Sequence, residues 1–131
     1  MLPRSAHRHM KSPLGVNLAS KYDFIGQFGF DGGGPFYRIF LKLEGSVIVS
    51  MGFSTISCPW AIAIGSATTA LVVGLDCSKA LNVNEQQIVE ELGGIPRDKR
   101  ILLMFIRHAL HDGLNKALNS SPIMKEAQSE S

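Results

Sequence analysis

A chain of 131 residues, 45% of them hydrophobic and 18% charged, has the size and composition of one globular domain and not of a disordered chain. Its net charge of +2, with no basic stripe interleaved with aromatics, argues against nucleic acid as a partner. Two cysteines, Cys58 and Cys77, are too few for a disulfide framework at this length, so the default is a reduced, cytoplasmic protein.

Residues 1–20 read as a flexible leader with Pro3 and Pro13. They lack the continuous apolar core of a secretory signal. The first twelve are basic and acid-free, so a transit-like leader, and with it a mitochondrial matrix address, is the alternative to the cytoplasm. Residues 21–119 read as a single domain and 120–131 as a disordered polar tail.

Asp23–Phe30 has the pattern of a short strand, and Asp31–Pro35, "DGGGP", that of a tight turn. Phe36–Glu44 alternates: Tyr37, Ile39, Leu41 and Leu43 fall on one face, Arg38, Lys42 and Glu44 on the other. Glu44–Gly45–Ser46 can turn the chain into a second strand, Val47–Phe53, giving an antiparallel hairpin. Next, Ser57 is expected to cap a helix that takes Pro59 in its first turn, runs to about Val73 and stops at Gly74. This helix is apolar nearly all round and should be buried. Its small residues Ala61, Gly65 and Thr69 recur every four positions and allow another element to come close. A short helix capped by Asp76 reaches Leu81, and another runs from the cap Asn84 to Gly93–Gly94. The last spans about Pro96 to Leu118, with Leu103, Ile106, Leu110, Leu114 and Ala117 inward and Arg107, His111, Asn115 and Lys116 outward. Strands first and helices after predict an α+β fold, a small antiparallel sheet of about three strands packed by four to five helices.

From Gly45 to Leu75 no residue is charged, a run long enough to cross a bilayer. Pro59, the Ser and Thr residues and the change of period inside it favour a strand followed by a buried helix, and no membrane.

Few residues carry chemistry. Cys58 lies at a helix start, where partial positive charge favours a thiolate, against the plain reading of a small buried residue. Cys77 has no CxxC spacing to it and reads as structural. His108, His111 and Asp112 share one helix and are a possible metal trio, or a solvated face. Gly32–Gly34 lacks the context of a phosphate loop. Neither a nucleophile elbow nor an acid/base pair is visible, so no enzyme is indicated.

From Phe36 to Leu118 the order of pieces resembles the NifU/IscU family of iron–sulfur cluster assembly scaffolds. The hairpin is followed by "FSTISC" (Phe53–Cys58), by a helix rich in Ala and Ser, by "KAL" (Lys79–Leu81), and by "LGGIPRDK" (Leu92–Lys99). The leader's "HMKSP" (His9–Pro13) is similar to the family's start. The resemblance implies an α+β scaffold that receives sulfur from a cysteine desulfurase and builds a [2Fe–2S] cluster. It implies that cluster, or a zinc ion, held by three cysteines plus an Asp or His. It further implies an Hsp70-type chaperone contacting the loop with Ile95, Pro96 and Lys99, and a homodimer is possible.

The ligand motifs depart from that pattern. The first falls on Gly33–Gly34–Pro35, with Gly33 for its Cys and Pro35 for its Asp. The last falls on Ile101, Leu102 and Leu103, which would cover the site instead. Cys58 alone remains, and one thiolate cannot supply the four ligands of a [2Fe–2S] cluster. The expectation is a degenerate scaffold-like protein, with Cys58 as a cluster or persulfide residue. The alternatives are a metal-free binding or regulatory module on the same fold and a membrane-associated protein.

Overall fold

The computed structural model describes residues 22–29 and 34–119. The expected leader, the tail, Phe30 and Gly33 lie outside these. Three strands, β1 (Phe24–Gly29), β2 (Phe36–Glu44) and β3 (Val47–Thr55), form an antiparallel meander in the order β1-β2-β3. Helices α1 (Pro59–Val72), α2 (Cys77–Ala80), α3 (Glu85–Leu92) and α4 (Ile101–Asn119) follow, with a 3-10 turn at Arg97–Lys99. The α+β class, with three strands and four helices among the described residues, agrees with the sequence pattern.

Alternation built the hairpin. Glu44 pairs with Val47 across a two-residue turn in which Gly45 takes φ 62°. Tyr37, Ile39 and Leu41 are fully buried, while Leu43 is only half-buried because the register slips between Lys42 and Leu43, a bulge that re-aims the strand end. In the pairing, Gly26 and Phe28 of β1 stand opposite Ile39 and Tyr37, and Phe53 and Thr55 of β3 stand opposite them on the other side. These residues share the inner face, over which α4 and α1 pack.

Helix α4 crosses β1 at van der Waals limits. A Cβ at Gly26 would lie 2.1 Å from the Ala109 carbonyl oxygen and 2.4 Å from the Gly113 nitrogen, so only glycine fits. The same crossing ties off the outer edge of β1. The Gln27 N–H donates to Asp112 Oδ2 at 3.0 Å, Lys116 Nζ donates to the Ile25 carbonyl at 2.9 Å, and Lys116 and Asp112 pair at 3.2 Å.

Helix α1 is buried over most of its length, as its all-round apolarity predicts. Two of its buried polar groups are satisfied within the helix: Thr68 and Thr69 hydroxyls donate to the Ile64 and Gly65 carbonyls at 2.8 and 2.9 Å. Gly65 admits the Phe53 ring, whose nearest atom would be 2.4 Å from an added Cβ, so the small-residue stripe does allow close approach. No helix among the described residues is long and apolar enough to cross a membrane.

The caps at Asp76 and Asn84 form as expected. Asp76 accepts from the Ser78 N–H, and Asn84 and Gln87 make a reciprocal capping box. Gly93 closes α3 in the left-handed region at φ 77°. Three expectations are corrected. Ser57 is not the cap of α1; Cys58 occupies that position with no side-chain capping bond, because Pro59 stands at the first helical position. The last helix does not run unbroken from Pro96: Lys99 and Arg100 N–H groups bond three residues back, to Pro96 and Arg97, and α4 starts at Ile101. The charged stretch Arg97–Arg100 offers no inward apolar residue to select the wider α period. Finally, His111 is not an outward residue but half-buried, with its Nε2 atom enclosed.

Candidate functional site

Cys58 follows the end of β3 after a sharp bend, its N–H bonded to the Ile56 carbonyl at 2.8 Å. Its own carbonyl accepts the first helical bond, from the Ile62 N–H at 3.0 Å, and its thiol is half-buried and free. The surroundings are set by the neighbouring strand. Tyr37, paired with Thr55, is fully buried and donates its hydroxyl to the Ala61 carbonyl, pinning β2 to the first turn of α1. Thr55 Oγ1 donates to the Phe36 carbonyl at 2.7 Å. Burial pushes the Tyr37 phenol far above its usual range; Thr55 opposes this by hydrogen bonding, and the charge of a Cys58 thiolate adds to it. Tyr37 is therefore a wall and a strut, not an acid.

The other positions come to the same end of the sheet. Pro35 and Gly34, both exposed, lead directly into β2 beside Thr55. Phe28 pairs with Tyr37 and touches Phe105 of α4, with ring centroids 5.1 Å apart, whereas Gly26 lies against Ala109 and Gly113. Helix α4 thus runs along β1 with its N-terminus at the Phe28 end, and Ile101, one turn before Phe105, extends past it. The positions singled out by the resemblance, Pro35, Cys58, Ile101 and Leu102, lie towards the same end of the sheet, and of them only Cys58 carries a ligating atom. Leu102 and Leu103 are buried in the core. Ile101, expected to cover the site, is 53% exposed, because at the first residue of α4 it faces away from the layer that Leu102 and Leu103 join. In the adjoining loop Ile95 is buried, Pro96 exposed and Lys99 half-buried.

Cys77 belongs to the opposite end. Its N–H bonds to the Ser46 carbonyl at 2.8 Å, at the hairpin turn. The nine-residue strand β3 separates it from Cys58, roughly 26 Å at the rise of an extended chain, beyond the reach of a disulfide. Burial, with the neighbouring Asp76 charge, raises the Cys77 thiol pKa. It is structural, as its sequence context suggested.

The trio on α4 is dispersed. His108 stacks on Phe28 at 4.7 Å, Asp112 binds the β1 edge, and His111 lies half-buried against α2. His111 Nε2 is a buried atom without a hydrogen-bond partner. Burial lowers the His111 pKa, with Arg107 and His108 adding to the effect and the Leu81 backbone opposing it. Arg107 is also not simply outward, since its Nε donates to Glu85 Oε2 at 2.8 Å and closes α4 onto α3. Among the described residues no group of three or more His, Cys, Asp or Glu side chains is placed to hold a metal ion. Sequence reasoning missed the aromatic cluster of Phe28, Phe105 and His108; only the i, i+3 spacing of the last two signalled it, and Phe28 joins through tertiary packing.

The family described as the NifU-like N terminal domain matches residues 4–121. The iron–sulfur cluster assembly scaffold protein IscU 1 of Archaeoglobus fulgidus is 28% identical over 110 residues, 84% of this chain and 69% of that protein. The scaffold protein IscU of Aquifex aeolicus is 34% identical over 93 residues, 70% of this chain and 59% of that protein. The nitrogen fixation protein NifU of Azotobacter chroococcum mcd 1 is 36% identical over 93 residues, but the match spans only 30% of its length. Among solved structures, a protein of Fervidobacterium islandicum AW-1 described as an iron–sulfur cluster assembly scaffold for the SUF system superposes with a TM-score of 0.63, at 12% identity, over 86% of this chain and 95% of that one. The N-terminal NifU-like protein of Brucella abortus gives 0.51 at 15% identity, over 93% and 84%. At such identities the structures speak for the fold alone.

Proposed function

The chain belongs to the NifU-like N-terminal domain family, and from that premise we propose that it serves iron–sulfur cluster assembly as a non-enzymatic scaffold-type protein with a degenerate cluster end. The observation that supports this reading is the chemistry of the side chains at that end of the sheet: Cys58 has a free, half-buried thiol, and Pro35, Ile101 and Leu102 have no donor atoms. A [2Fe–2S] cargo requires four ligands, so this chain supplies one, and the rest come from another molecule. A zinc ion needs the same number.

What a lone thiol does unaided is sulfur exchange. The Cys58 thiolate attacks the outer sulfur of a donor persulfide, a new S–S bond forms at Cys58, and the donor leaves as a thiolate. No oxidant or reductant is consumed. A cysteine desulfurase is the partner that would supply such a persulfide, and the loop with Ile95, Pro96 and Lys99 is where an Hsp70-type chaperone would contact the chain. Absence of donors at Pro35, Ile101 and Leu102 equally supports a second reading, a metal-free binding or regulatory module on the same fold. Either would work in the cytoplasm, or in the mitochondrial matrix.

The test exposes the protein anaerobically to cysteine persulfide, and separately to ferrous iron and sulfide, alongside Cys58→Ala. The proposal expects wild type to gain one sulfur at Cys58, the variant to gain none, and neither to hold a stable cluster alone. No sulfur uptake by wild type would leave the metal-free module. A stable cluster band in the isolated chain would overturn the degenerate reading.

A further inference from the structure

Helix α4 presents a stripe of Ile101, Phe105 and His108, spaced i, i+4 and i+7, so the three share one face. Ile101 is 53% exposed and His108 is exposed. Phe28, itself 36% exposed, widens the stripe from the strand side, meeting the Phe105 ring edge-on at 5.1 Å and stacking on His108 at 4.7 Å. Single apolar residues on a surface mean little, but a contiguous aromatic and aliphatic patch marks a contact site. This one adjoins the end of the sheet where Cys58 lies.

Charge at its margin selects what it contacts. The turn leading into Ile101 is Arg97, Asp98, Lys99 and Arg100, three cations to one carboxylate, and Arg97 and Arg100 are exposed with neither in an ion pair among the described residues. A second copy of this chain meeting the patch across a two-fold axis would set two turns of net positive charge against each other, each with a single carboxylate, Asp98, to offset Arg97, Lys99 and Arg100. A partner bearing carboxylates beside apolar side chains satisfies both the patch and its rim.

We propose that Phe28, Ile101, Phe105 and His108 form a docking surface for a protein segment whose apolar residues are flanked by carboxylates, with Arg97 and Arg100 steering its approach. The proposal rests on the packing of α4 against β1 and needs no sulfur chemistry, so Cys58→Ala leaves docking intact even where the persulfide reading fails.

The experiment titrates the 15N-labelled full chain with a synthetic 12-residue peptide carrying two leucines and one phenylalanine among glutamates. A lysine-for-glutamate peptide and a leucine-free acidic peptide serve as controls. The expected result is chemical-shift change centred on Phe28, Ile101, Phe105 and His108 with the first peptide alone, weakened by added salt. Ile101→Asp, at an exposed helix position that leaves the core untouched, should bind about tenfold more weakly, the loss expected of a central anchor. Arg97→Glu with Arg100→Glu should weaken it further at low salt. No shift with the acidic apolar peptide, equal binding of the lysine peptide, or shifts elsewhere would overturn the proposal. So would concentration-dependent self-association abolished by Ile101→Asp, which would make a second copy the occupant.

Discussion

Asp76 does more than cap a four-residue helix. Its carboxylate accepts from the Ser46 hydroxyl and from the Ser78 N–H and hydroxyl, and these bonds, led by Ser46, hold its pKa down at about 2. A carboxylate with a depressed folded pKa stabilises the fold above its unfolded value, about 3.9, and that contribution disappears as pH falls towards the folded value. Urea midpoints measured from pH 5 down to pH 2 should therefore fall more steeply for wild type than for Asp76→Asn. His111 acts at higher pH. Its folded pKa is lowered, chiefly by burial, so the neutral ring is the stable form in the native state. Stability is complete above the unfolded value, about 6.5, and declines as pH falls below it, when the unfolded chain takes up a proton that the folded one resists. His111→Leu should flatten that decline between pH 7 and pH 5, measured by the same midpoints. The sequence placed His111 outside by helical spacing alone; its burial depends on where α2 packs, which no local pattern records.

At the scale of elements, the close crossing of α4 over β1 is the most demanding contact. Gly26→Ala forces a methyl into the Ala109 carbonyl and the Gly113 nitrogen. It should cost about 3 kcal/mol, the upper part of the range for overpacking, read from thermal or urea unfolding. Gly113→Ala meets its nearest neighbours, Gly26 and Leu41, at 3.2 Å and should cost clearly less. Asn84→Ala removes one side of the capping box and should cost about 1 kcal/mol by the same measurement. The hairpin, α1 and the caps at Asp76 and Asn84 were legible because alternation, apolarity and capping are local signals. The break at Arg97–Arg100 was not, since helix-forming charged residues do not distinguish an α turn from a 3-10 one. The Asp112 contact to Gln27 spans 85 residues of sequence and left no trace in it.

For the whole molecule, sequence order and the "FSTISC" stretch singled out Cys58, but not which side chains surround the thiol. The distances that make Tyr37 a strut and set Ile101 outside are properties of packing between elements. Cys58→Ala should leave the melting temperature within about 2 °C of wild type, since the thiol makes no capping bond and sits half-exposed at the margin of the core. Calorimetry of the two proteins decides it. The side chains on the β1 edge have a wider consequence. A three-stranded sheet ends in rows of unpaired peptide groups, which in solution recruit further strands and seed insoluble fibrils. Here two of the groups that would bond an incoming strand, the Ile25 carbonyl and the Gln27 N–H, are already taken by Lys116 and Asp112. Two side chains of the last helix thus serve as a terminator for polymer growth, and Asp112→Ala with Lys116→Ala should leave a folded protein that precipitates with time, as light scattering would register.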